Sequence, residues 1–153
     1  MRILTLTNYY PPYFVGGYEL ACKLTMDYLI SEGHEVHVLA SQWRSNEAAE
    51  EPRVYRQLAT IDYDHPSRFQ EFKVAMYNYR LTTEMLKTIQ PDVVYAWSQR
   101  LVSPAVVQAA KRFGAPMVYE IQDFWPNSYL PAKNPIKRIL QKLVPMTQIP
   151  PLD

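Results

Sequence analysis

The chain has 153 residues, a formal net charge of +1 and one cysteine, which together describe a single domain able to bury a real core. So small a charge argues against a nucleic-acid or polyanion partner, and a lone cysteine excludes an intrachain disulfide. No apolar run approaches the roughly 18 residues of a membrane span and the amino terminus lacks the features of a signal peptide, so the chain reads as cytoplasmic.

Arg2 to Thr7 is a short β-prone run, followed by the aromatic loop Asn8 to Gly17 with its two prolines and Gly-Gly pair. From Tyr18 to Glu32 the apolar residues Leu20, Ala21, Leu24 and Tyr28 fall at helical spacing, with Gly33 as a left-handed stop. Cys22, inside that helix, is expected to pack as a small hydrophobe. His34 to Ala40 alternates like a strand, so this stretch is a right-handed βαβ unit. Ser41 to Pro52 reads as a polar surface loop, Arg53 to Leu58 as a third strand, and Asp62 to Pro66 as a turn. Ser67 and Gln70 form the pattern of a capping box at the head of a long helix. Its apolar stripe Phe69, Phe72, Met76, Tyr79, Thr83, Leu86 and Ile89 is expected to face the core. Pro91-Asp92 ends that helix.

Val93 to Trp97 reads as a central parallel strand covered on both faces. Ser103-Pro104 opens the next helix and Gly114 closes it. Pro116 to Ile121 is a further strand, running into Gln122-Asp123-Phe124-Trp125-Pro126. Asn134-Pro135 caps a short helix with Ile136, Ile139, Leu140 and Leu143 on one side, flanked by Lys133, Lys137, Arg138 and Lys142. That helix suits either docking with a solvated face or lying on anionic lipid as a peripheral membrane contact. The domain is expected to span residues 1–144, with 145–153 a tail.

Strands alternating with helices imply an α/β, Rossmann-like doubly wound parallel sheet, whose ligands bind beyond the carboxyl ends of the strands. With the first strand central, three loops converge on one edge: Asn8 to Gly17, Trp97 to Leu101, and Gln122 to Pro126. Gly16 and Gly17 head a helix, where N–H groups and the helix dipole favour an anion such as a phosphate. The loop is neither Gly-x-Gly-x-x-Gly nor a P-loop, and the second strand ends without a ribose-binding carboxylate, which disfavours NAD and P-loop chemistry. Thr7-Asn8 also lacks the carboxylate cluster of a receiver domain. Glu19 either complements the dipole and pairs with Lys23 or positions a ligand. Tyr9, Tyr10, Tyr13 and Phe14 suit stacking on a sugar or lipid, and Trp97, Ser98, Phe124 and Trp125 border the same crevice. His34 and His37 alternate on one strand with no third ligand that would make a metal site, and His65, beside Pro66 in a turn, reads as a surface residue.

Four pieces in order, Met1-Arg2-Ile3-Leu4, Asn8-Tyr9-Tyr10-Pro11-Pro12, Gly16-Gly17-Tyr18-Glu19 and Gly33-His34-Glu35-Val36, resemble the amino terminus of a family 4 glycosyltransferase. The resemblance covers most of Met1 to Leu143. It implies the acceptor-side half of a GT-B fold and retaining, hexosyltransferase-type transfer from a nucleotide sugar to a saccharide or lipid acceptor, with no cofactor beyond that donor. In the family this last strand commonly ends in His-Asp. Here Gln122 holds the histidine position and Asp123 matches the carboxylate, so these two are the implied catalytic pair. An amide donates and accepts hydrogen bonds but cannot titrate. The family's nucleotide pocket and Glu-x7-Glu motif belong to a carboxyl-terminal domain. The resemblance therefore implies a chain inactive without a donor-binding domain or chain. The alternative is a non-catalytic module that pairs with a separate donor-binding chain.

Overall fold

In the structure, a computed structural model, residues 1–47, 50–61, 67–122 and 124 are described. They form β1 (Arg2–Leu6), α1 (Gly17–Ser31), β2 (Glu35–Ser41), β3 (Val54–Leu58), α2 (Arg68–Ile89), β4 (Val93–Ala96), α3 (Ala105–Phe113) and β5 (Met117–Tyr119). All pairings are parallel and the strand order is β3-β2-β1-β4-β5. β1 is central as expected. The chain leaves it toward β2 on one side and returns as β4 on the other, so the topological switch point lies beside the carboxyl end of β1.

Period-two alternation along the strands divides the core. Leu4, Leu6, Leu39, Val94 and Ala96 pack with Leu86 and Ile89 of α2 and with Val106, Ala109 and Ala110 of α3. Ile3, Val36, Val38 and Ala40 face the other way, toward Cys22 and Met26 of α1 and toward Trp97. One helix covers one face of the sheet and two cover the other. Gly33 and Gly114 have φ of 83° and 88° and close α1 and α3 as their residue type requires.

Two helical faces differ from the expected ones. Leu20, Leu24 and Tyr28 point outward, the last two 70% and 61% exposed, while Cys22 and Met26 are buried. Both series have helical spacing. The smaller set, Ala21 and Cys22, lets α1 approach the sheet closely, and the bulky set is left outside. In α2, Phe69 and Phe72 are exposed, and the seam runs through Ala75, Asn78, Thr82, Leu86 and Ile89. Two of those five residues are polar, so a stripe drawn through apolar residues misses it. Ser67 stands at the N-cap, but its side chain makes no cap bond, and the expected capping box is not formed. Its carbonyl accepts the Glu71 N–H at 2.9 Å instead. The predicted turn 62–66, the helix from Asn134 and the tail lie outside the described residues.

Burial suppresses the ionisation of several weak acids in this core. The Cys22 thiol is pushed well above its ordinary 9.0 by desolvation, against a hydrogen bond from Thr7 that lowers it. Tyr119 rises from 10.0 to about 12 through desolvation. Because the folded values are raised, the unfolded chain loses these protons first. The contribution to stability is complete below about pH 9 and is lost as pH rises through the folded values. Thermal melts should therefore show a Tm that falls steadily above about pH 9. In Cys22→Ala the onset should move up toward the tyrosine range, and an unchanged onset would remove the thiol from this account.

Candidate functional site

The floor of the crevice is made of side-chain amides. Past the end of a strand the ladder stops, and its last backbone groups need other partners. Asn8, two residues past the end of β1, bonds to two segments, the end of β2 and the loop after β4. Its Nδ2 donates to Ser98 Oγ at 2.9 Å, its Oδ1 accepts the Leu101 N–H at 3.0 Å, and its carbonyl accepts the Ser41 N–H at 2.9 Å. Gln99, fully buried, donates through Nε2 to the carbonyls of Leu6 at 3.1 Å and Trp97 at 2.8 Å. Asn8 and Gln99 were not among the expected site residues. The available signal was an amide placed immediately after an apolar run. Ser98 is also buried, and its hydrogen bond to Asn8 gives it a supporting position.

One wall is the loop after β1. Tyr10 is buried, with the Lys23 ammonium 5.7 Å and the Arg56 guanidinium 5.9 Å from its ring centroid. Arg56 also donates to the Pro11 carbonyl and lies 3.5 Å from Glu51. Tyr10 therefore anchors the loop, and its ring is not presented to solvent. Tyr9 is half-buried and meets Trp43 at a centroid distance of 4.7 Å. Tyr13 donates its hydroxyl to the Glu47 carbonyl at 2.7 Å and carries the Arg44 guanidinium 4.5 Å above its ring. The stretch after β2, expected to be only a polar loop, thus braces the aromatic loop.

The second wall begins at α1. Gly16 has extended backbone (φ −157°), and its N–H donates to Glu19 Oε2 at 2.9 Å. The buried Glu19 carboxylate thus closes the helix start. Its expected pairing with Lys23 is not made, since Lys23 lies 2.9 Å from Asp27 and 3.7 Å from Glu51. A Cβ added at Gly17 would meet open space. The Tyr18 hydroxyl donates to the Glu120 carbonyl at 2.6 Å, and its ring meets Trp97 edge-on at 5.2 Å. Trp97 is only 2% exposed, so it too supports the crevice from beneath.

At the third loop Gln122 is exposed and donates from Nε2 to Glu120 Oε1 at 3.2 Å. The other Glu120 oxygen accepts from the Tyr95 hydroxyl at 3.3 Å. Phe124 is 84% exposed. Asp123 and Trp125 lie outside the described residues. His37 is held by Glu35 Oε1 at 2.9 Å and by stacking on Tyr55. No group of three metal-ligating side chains occurs among the described residues.

The family model for Glycosyltransferase Family 4 matches residues 15–148. The chain belongs to Glycosyltransferase Family 4. A Klebsiella pneumoniae relative, described as an uncharacterised 42.6 kDa protein in the cps region, is 22% identical over 139 residues. The match covers 82% of this chain and 37% of that protein. Among solved structures, Acinetobacter baumannii MurG aligns with a TM-score of 0.57 at 14% identity, over 83% of this chain and 38% of its own. The UDP-GlcNAc 2-epimerase of Methanocaldococcus jannaschii aligns with a TM-score of 0.55 at 10% identity, over 97% of this chain and 44% of its own. Both have GT-B folds, and at such identity the likeness concerns the fold alone. This family 4 chain spans well under half the length of each of these proteins. Among the described residues, no helix is long and apolar enough to cross a membrane.

Proposed function

We propose that this chain forms the acceptor-side half of a glycosyltransferase cleft. The enzyme moves a sugar from a nucleotide-sugar donor to a saccharide or lipid acceptor, and a second domain or chain holds most of the donor. The observation that carries this reading is the convergence of the loops after β1 and β4, the end of β5 and the start of α1 at the switch point of a family 4 sheet. The first-turn N–H groups of α1 have no intrahelical acceptors and suit the donor's phosphates at Gly16 and Gly17. Phe124 and the aromatic loop suit the acceptor. Gln122 and Asp123 take the reacting sugar, the first through hydrogen bonds alone. The domain takes in residues 1–144, and the protein works without a cofactor beyond its donor.

The Glu19 carboxylate supports the alternative, a non-catalytic module pairing with a donor-binding chain. It already accepts the Gly16 N–H, and its charge opposes an incoming anion. The two readings separate in a titration with uridine diphosphate, followed by backbone amide NMR. Saturable shifts centred on Gly16 and Gly17 are expected. Glu19→Gln should tighten binding several-fold by removing the opposing charge, while lowering stability by about 1 kcal/mol or less. Gly17→Ala should leave stability within about 0.5 kcal/mol, because its methyl meets no neighbour, yet weaken the anion by crowding its approach. Shifts elsewhere, or none at any concentration, would favour the alternative.

A further inference from the structure

The loop after β2 carries a partly exposed indole, braced against Tyr9, that the donor site does not use. Trp43 follows Ser41 and Gln42 at the carboxyl end of β2, beside β1, and so stands at the same edge as the crevice. It is 37% exposed, so over a third of its surface is open to solvent. It is also held in place. Tyr9 packs against it at 4.7 Å with the rings tilted 44°. Arg44 lies 5.7 Å from the Trp43 ring and 4.5 Å from Tyr13, and is paired with Glu47 through both Nε and Nη2. The Tyr13 hydroxyl ties to the Glu47 carbonyl. Tyr9, Tyr13, Trp43, Arg44 and Glu47 thus make one braced cluster joining the loops after β1 and β2.

The chemistry of this cluster selects among ligands. A partly exposed, pre-positioned aromatic ring offers a flat apolar face at little entropic cost. The only charged groups in the cluster are a guanidinium and a carboxylate already joined to each other, so it has no net charge to draw a phosphate. Donors and acceptors border an apolar face, which matches a ring having one C–H face and an equatorial rim of hydroxyls. We infer that Trp43, braced by Tyr9 and flanked by the Arg44–Glu47 pair, is a stacking platform for a neutral pyranose ring of the acceptor. This rests on the reading above that the crevice takes a saccharide-bearing acceptor, and it gives specificity to a residue outside the three converging loops.

The test follows the Trp43 indole N–H and the backbone amides by NMR. The titrants are methyl glycosides of glucose, galactose, mannose and rhamnose, the same sugars as decyl glycosides below their micelle threshold, and neutral phosphatidylcholine vesicles. At least one methyl glycoside should shift Trp43 and its Tyr9 neighbour. The decyl form should do the same at lower concentration if the natural source is lipid-linked, and at equal concentration if it is a free saccharide. Trp43→Ala should weaken that binding about tenfold, whereas Trp43→Phe, which keeps an aromatic face and the Tyr9 contact, should weaken it less than about threefold. Amide spectra of both variants report whether the loop keeps its shape. Binding that shifts other crevice amides, with Trp43 unmoved and its alanine variant unchanged, overturns the platform but leaves the acceptor reading intact. Binding of none of the sugars overturns both. A Trp43 response to vesicles alone overturns the platform in favour of a membrane-contacting rim.

Discussion

Asn78→Ala is expected to lower stability by about 3 kcal/mol, seen as a fall of roughly 6–12 °C in Tm. Asn78 is fully buried on α2. Its Oδ1 accepts the Ala59 N–H at 2.8 Å, and its Nδ2 donates to the Ala59 carbonyl at 2.8 Å and the Val102 carbonyl at 2.6 Å. One side chain therefore fastens the segment leaving β3 and the loop leaving β4 to the helix between them. Alanine removes all three bonds and strands one N–H and two carbonyls, each worth about 1–3 kcal/mol when left unpaired in the interior. Relaxation and entering water return part of that sum. Asn78→Asp should be worse at neutral pH, since it keeps the acceptor, loses both donors to carbonyls and buries a charge. Urea unfolding gives the comparison. A loss below about 1 kcal/mol in the alanine variant would mean that water takes over the bonds and that the two loops need no clamp.

The effect at Asn78 also explains why α2 was the element least legible from its residues. Part of its seam is set by where the chain must be tied down, and that requirement selected the Asn78 amide at a position an apolar pattern treats as outward. The strands were easier, because β1 and β4 are held on both sides by neighbours and their residues need only be apolar. Central placement of β1 and the left-handed stops at Gly33 and Gly114 follow from local chemistry, and were foreseeable for that reason. The facing of α1 was not, because two sets of residues share helical spacing and only contact with the sheet selects between them.

In the site, sequence position located the rim but not the orientation of the side chains on it. Tyr9 and Tyr10 are adjacent, yet one leans on Trp43 and the other is buried near Lys23 and Arg56. Which tyrosine faces solvent depends on Arg56, a residue 45 positions away that binds the Pro11 carbonyl. Trp97 and Ser98 follow β4 where a ligand contact was expected, and both are buried. Trp43 went unnoticed for the opposite reason: its loop is polar in composition, and one indole does not change that average. The GT-B fold adds a further limit. It is shared here by a protein named as MurG and one named as an epimerase, so topology alone does not choose a reaction.

Incubated alone with nucleotide sugars and saccharide or lipid acceptors, this chain is expected to release no nucleotide diphosphate. Orienting a donor against an acceptor supplies about 7–11 kcal/mol of the rate advantage, or roughly 10⁵ to 10⁸-fold. Many polar groups that line the described crevice are already engaged: Asn8 with Ser98 and Leu101, Gln99 with Leu6 and Trp97, and Glu19 with Gly16. Gln122 offers an amide that carries no charge and moves no proton. On the proposed reading the second wall of the cleft comes from another domain or chain, and without it developing charge would face water, where each electrostatic contact is weakened several-fold relative to a closed site. Supplying a family 4 donor-binding domain in trans should restore transfer, and Asp123→Ala should then abolish it while leaving the fold intact. If the donor-binding domain restores nothing, the non-catalytic alternative gains. Turnover by the chain alone, lost in Asp123→Ala, would instead place the donor pocket, as well as Asp123, within these 153 residues.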